Sequence, residues 1–134
     1  VLAVADGTVL RAPTDYEPLT GAQANAWAAK SQSLGYTPPE VLDGYRGRQI
    51  WIDHGDNLVS RYAHLGSIAP DIEEGAQVTR GQVMGTVGNS GTPGSVQSKT
   101  YDVHLHFELW VDGHYIGQFL RPIETREWLE RIVR

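Results

Sequence analysis

Turn-forming residues cut this chain into short pieces, and that punctuation limits its fold more than any other feature. Fifteen Gly and seven Pro separate runs of β-branched and aromatic residues only a few positions long, the pattern of a mainly β domain. Residues 1–5 and 8–10 flank Asp6-Gly7, a pair that supplies the positive φ angles of a tight turn, so a hairpin is expected there. Residues 49–54 and 58–64 form a second pair around Gly55, Asp56 and Asn57. Val78, residues 83–87 and residues 103–111 read as further strands, and Asp112-Gly113 turns the last of them into residues 114–116. The expected architecture is a small antiparallel β-sheet sandwich.

With no Cys among 134 residues, the fold must stand on its core, and Cys nucleophiles and thiolate metal sites are excluded. A chain of this length, 40% hydrophobic, supports one core, so residues 1–134 are expected to form a single domain. Eleven Lys and Arg against 16 Asp and Glu leave a formal charge of −5. Nucleic acid is therefore not an expected partner, because neutralising phosphates needs a basic face. No run approaches the ~20 apolar residues of a membrane span. The chain opens at Val1 on a strand-like run rather than on Met, so a processed product or a fragment is expected.

Two segments interrupt the β pattern. An insertion at about 12–46 is polar and Pro-rich, and its middle, residues 22–34, is rich in Ala and Gln. Thr20 with Gln23 makes a capping box for a helix there, and Gly35 is placed to end it. The second segment is the loop 89–100, which delivers the chain into the strand carrying His104 and His106. A closing helix is expected at about 125–133, capped by Thr125, with Trp128, Leu129, Ile132 and Val133 as its packed side.

The chemistry-bearing segment is Asp102-Val103-His104-Leu105-His106-Phe107-Glu108-Leu109-Trp110. Alternation along a strand sends Val103, Leu105, Phe107 and Leu109 to the core and His104, His106 and Glu108 to the other face. Two neighbouring imidazoles suit a divalent metal, or a site where one nitrogen binds metal and another handles protons. A solvated strand face that happens to carry His is the plain alternative. His64 closes another strand in Arg61-Tyr62-Ala63-His64-Leu65, where by itself it reads as a structural histidine bonded to backbone, and His54 reads as a packing or turn residue. His114, after the Asp112-Gly113 turn, is expected to be exposed. Ser60 and Ser90 lack a nucleophile elbow. Trp51 and Trp110 read as packing or rim residues in preference to sugar-stacking ones. Trp27 and Trp128 read as docking anchors for the two helices.

Six blocks in order carry a resemblance. They are Val4-Ala5-Asp6-Gly7-Thr8-Val9, Ile50-Trp51-Ile52-Asp53-His54-Gly55, Arg61-Tyr62-Ala63-His64-Leu65, the stretch from Glu74 to Gly85, Val87-Gly88-Asn89-Ser90-Gly91, and His104-Leu105-His106-Phe107-Glu108. Together they resemble the LytM and lysostaphin type of zinc metallopeptidase. That resemblance implies the duplicated hybrid β fold, here with one inserted helix and a C-terminal helix. It also implies hydrolysis of peptide bonds in bacterial peptidoglycan, and hence an extracytoplasmic location. It makes His106 a Zn2+ ligand, with His64 and His104 as two catalytic histidines that do not bind the metal. The zinc would activate a water, which the two histidines would orient or deprotonate while stabilising the oxyanion.

The family's other two ligands lie in a His-x-x-x-Asp motif just before the block that matches residues 1–9, and no such motif occurs in the 134 residues. The domain is accordingly expected to lack its N-terminal strand and two zinc ligands, and to be inactive by itself. The loop 92–102 is longer than the family's usual approach to the His pair, and Val103 stands where Pro is frequent. A non-catalytic member that binds peptidoglycan or regulates a cell-wall hydrolase is the alternative function. A biotinyl or lipoyl carrier is set aside, because the only lysines, Lys30 and Lys99, do not sit at a tight hairpin tip.

Overall fold

A computed structural model describes residues 1–132. Eight strands, β1 (Gly7–Arg11), β2 (Ile50–Asp53), β3 (Leu58–Ala63), β4 (Leu65–Ile68), β5 (Gln77–Val78), β6 (Gly85–Val87), β7 (His106–Val111) and β8 (His114–Tyr115), make two antiparallel sheets. One sheet has six strands in the order β5-β1-β2-β3-β7-β8, and the other pairs β4 with β6. Three helices join them, α1 (Gly21–Leu34), α2 (Pro39–Arg46) and α3 (Pro122–Ile132), with a single 3-10 turn at Pro93–Val96. The mainly β, antiparallel architecture is the expected one.

Period-two alternation explains the large sheet. Ile50 and Ile52 are fully buried while Trp51 and Asp53 are only partly covered, and the register sets Ile50 opposite Tyr62 and Ile52 opposite Ser60. The core face continues through Val9, Leu65, Ile72, Val78 and Met84. Polar groups on that face are satisfied, as burial requires. The Tyr62 hydroxyl accepts the Val4 N–H at 2.9 Å, and His54 Nε2 lies 2.7 Å from Ser60 Oγ. His54 also holds the Asp6 carbonyl at 2.7 Å, a packing role as expected.

The expected hairpin at Asp6-Gly7 does not form. Both edges of β1 are taken, by β2 and β5, so residues 1–4 run instead beside residues 82–85, with Leu2 bridging Val83. Asp6 Oδ1 accepts the Arg80 N–H at 2.7 Å and fixes the crossing. The expected strand 103–111 also begins late. Val103 and Leu105 are 46% and 39% exposed, because the chain joins β3 only from His106 onward. Phe107 and Leu109 do face the core.

The insertion holds a second helix besides the expected one. α1 carries both halves of the Thr20–Gln23 capping box and ends on Gly35 at φ 73°. α2 starts on Pro39, whose missing N–H costs nothing in a first turn, and buries Val41. Trp27 docks edge-on against Tyr45, 5.2 Å between ring centroids, and a Cβ at Gly44 would overlap its ring. Arg11 grips Asp43 with two hydrogen bonds of 2.7 and 2.8 Å, tying α2 to β1.

The C-terminal helix differs from expectation at its start. It begins at Pro122, and Glu124 reaches back to the Arg121 N–H at 2.8 Å, so Thr125 sits inside the helix rather than capping it. Trp128 is 49% exposed and so is not the buried docking anchor expected, while Leu129 and Ile132 are partly covered. Val133 lies outside the described residues.

Candidate active site

His64, His104 and His106 come together where the two sheets meet. Ring centroids of His64 lie 4.9 Å from His104 and 5.5 Å from His106, both edge to face. His64 is the single residue between β3 and β4, and at φ 60° it makes the turn by which the chain leaves one sheet for the other. A side chain in that left-handed region needs support. The Arg46 carbonyl accepts its N–H at 2.9 Å, and its Nδ1 lies 3.0 Å from the Ser90 carbonyl. His104 enters from the loop, its N–H on the Gly88 carbonyl and its Nδ1 2.8 Å from the Asp102 carbonyl.

A carbonyl oxygen only accepts, so Nδ1 carries the proton in both rings and Nε2 is left as the basic nitrogen of the neutral form. Burial lowers the His64 pKa. The Ser90 carbonyl opposes that shift, and the other two imidazoles reinforce it. His64 is therefore neutral at pH 7.

His106 has a different anchor. Its Nε2 lies 2.9 Å from Glu108 Oε1, and Glu108 is a buried hub. Arg46 donates to Oε1 at 3.1 Å, Trp110 Nε1 donates to Oε2 at 2.8 Å, and Arg61 stands 3.7 Å away. Burial alone would raise this carboxyl; the hydrogen bonds from His106 and Trp110 and the Arg46 charge outweigh it and hold the pKa down to about 2. An ionised carboxylate accepts only, so His106 carries its proton on Nε2. The Arg61 guanidinium is sandwiched between Trp51 and Trp110, 3.8 and 4.0 Å from the ring centroids. Those two tryptophans are packing residues for a partly desolvated cation.

The remaining candidates are not gathered in. Ser60 is fully buried against His54, and Ser90 Oγ is occupied by the Arg48 N–H at 2.8 Å. His114 is exposed on β8. Sequence reasoning missed Arg46, which supports His64 through its carbonyl and His106 through Glu108. Its link to Glu108 spans 62 positions, and no local pattern announces it.

Residues 1–118 match the model of peptidase family M23. The chain belongs to that family. Over 73 residues the M23 chain is 38% identical to the peptidoglycan DD-endopeptidase ShyA of Vibrio cholerae, covering 54% of this chain and 15% of that protein. Over 83 residues it is 31% identical to an L-Ala–D-Glu endopeptidase of Bacillus subtilis, covering 62% and 26%. It therefore spans about a quarter or less of these relatives. Among solved structures it is similar to a mutant catalytic domain of EnpA, a prophage-encoded M23 protein from Enterococcus faecalis, with TM-score 0.52, 21% identity and coverage of 91% and 68%. That likeness concerns the fold.

Zinc is the group this family implies. Among the described residues no three His, Asp or Glu side chains form a group that could hold a metal ion. The histidine cluster has one Nε2 committed to Glu108 and two Nδ1 committed to carbonyls. The described residues thus do not fit the three-ligand set of a catalytic zinc.

Proposed function

We propose that this chain is the histidine-bearing part of an M23 peptidoglycan endopeptidase, acting outside the cytoplasm on peptide bonds of the cell wall. The observation that carries this reading is the pairing of His64 and His104, each with Nδ1 tied to a backbone carbonyl and Nε2 without a hydrogen-bond partner among the described residues. Such a pair suits proton transfer at an amide. One Nε2 takes the proton of an attacking water, and a protonated Nε2 returns it to the departing amine or donates to the oxyanion. His106 is this chain's proposed contribution to a zinc site, through the Nδ1 that its bond to Glu108 leaves unprotonated. A second reading is a peptidoglycan-binding or regulatory member, since no group of His, Asp or Glu among the described residues could hold a metal ion.

Release of soluble muropeptides from purified sacculi by the full-length protein separates the two. His64→Ala or His104→Ala is expected to lower that rate by at least about 100-fold, the usual contribution of a general acid or base. His106→Ala is expected to abolish stoichiometric zinc. Full-length protein that binds sacculi, releases nothing and holds no zinc supports the second reading.

A further inference from the structure

Beside the histidines lies a cleft of about 360 Å³ lined by Tyr16, Arg48, Gly88, Ser90, Lys99 and Val103 among others. It adjoins them directly. Ser90 supplies the carbonyl under His64, Gly88 supplies the one that holds His104, and Val103 precedes His104 in the chain. The backbone of Arg48 is fixed by Ser90 Oγ at 2.8 Å and by the Leu65 N–H at 3.0 Å.

The cleft gathers two basic side chains that have no carboxylate partner among the described residues. The protein carries a formal charge of −5, and Arg11, Lys30, Arg46, Arg61, Arg121 and Arg126 all stand against carboxylates. Arg48, Arg80, Lys99 and Arg131 have no carboxylate within 4.0 Å among the described residues, and of these Arg48 and Lys99 line this one cleft. Arg48 is also held in shape, its guanidinium 4.7 Å from the ring centroid of Tyr16. The Tyr16 hydroxyl accepts the Gly91 N–H at 2.9 Å and keeps its own proton to donate. A planar fork, a mobile ammonium and a phenol proton around one cleft form a donor set for a carboxylate.

We infer that this cleft is a specificity subsite that binds a free carboxylate of the substrate peptide next to the bond presented to His64 and His104. The inference rests on the proposed peptidase reading for the nature of the peptide. Tyr16 belongs to the insertion, which thereby contributes a wall to the site as well as support beneath it. Arg48 gives directional, two-pronged recognition, and Lys99, on the exposed loop 97–100, adds charge without fixed geometry.

Calorimetric titration of the full-length protein with a synthetic stem tetrapeptide tests this. Three forms are compared: both carboxyls free, the internal D-Glu carboxyl amidated, and the C-terminal carboxyl amidated. One amidation is expected to weaken Kd by about tenfold, the scale of a charge-assisted hydrogen bond, and which one does so identifies the carboxylate that is seated. Arg48→Gln is expected to erase that difference, and the exposed Lys99→Gln to reduce it without touching the fold. Equal affinity for all three peptides, no binding of any, or a preference that survives Arg48→Gln would overturn the inference. Cleavage without carboxylate preference sinks the subsite alone, whereas preference without cleavage sinks the peptidase reading and leaves the subsite standing.

Discussion

The insertion and the C-terminal helix are both helical additions to one sheet, yet only the first is built into it. α2 buries Val41, locks Asp43 to Arg11 with paired hydrogen bonds, and ends on Arg46. That residue gives its carbonyl to His64 and its guanidinium to Glu108, the anchor of His106. α3 has no buried residue, and the ion pairs Arg121–Glu124 at its start and Arg126–Glu130 along it join near neighbours in sequence. Both segments have amphipathic stretches. What separates them is whether polar side chains on the helix find buried partners on strands, and a hydrophobic pattern alone does not report that.

The sharpest way to break this contrast is Arg46→Met, which keeps the stem and removes the charge. Arg46 and Glu108 side chains are 12% and 9% exposed, so the change leaves a buried carboxylate short of its nearest cation. Urea denaturation should show a loss of about 3 kcal/mol; a loss below about 1 kcal/mol would mean that the insertion is a spectator.

Acid sharpens the same point. Glu108 has a folded pKa held down to about 2 against a reference of 4.5. Its contribution is therefore complete above the unfolded value and lost as pH falls from about 4.5 toward 2. Stability measured across that window should fall more steeply in the native protein than in Glu108→Gln. Parallel curves would contradict the hub.

The smallest effect is expected on α3. Trp128→Ala, at a position 49% exposed, should change stability by no more than about 0.5 kcal/mol. A larger loss would show that this helix is docked after all.

What could be read from the sequence follows the same division between local and distant causes. The β2–β3 hairpin and the α1 cap were legible because their signals sit within a few residues: Gly55-Asp56-Asn57 for the turn, Thr20 with Gln23 for the cap. The helix α2 was not, because Pro38-Pro39 reads as a break and eight residues carry too little periodicity. The partner of residues 1–4 was decided some 80 positions away, once β2 and β5 had taken both sides of β1. In the site, His104 and His106 announced themselves by spacing, and His64 entered only through the resemblance of the surrounding blocks. Alternation placed Glu108 on the histidine face. Its burial depends on Arg46 and Arg61, one from the insertion and one from β3, and neither is a neighbour in sequence.

Proton transfer at this site turns on which nitrogen of each imidazole is free. Long-range 1H–15N correlation spectra of the histidine side chains at pH 7.5 read this directly, before any substrate or activity is involved. The structure requires the Nδ1–H tautomer for His64 and His104 and a protonated Nε2 on His106. An Nε2–H tautomer at His64 would block the nitrogen assigned to proton transfer and contradict the proposed chemistry.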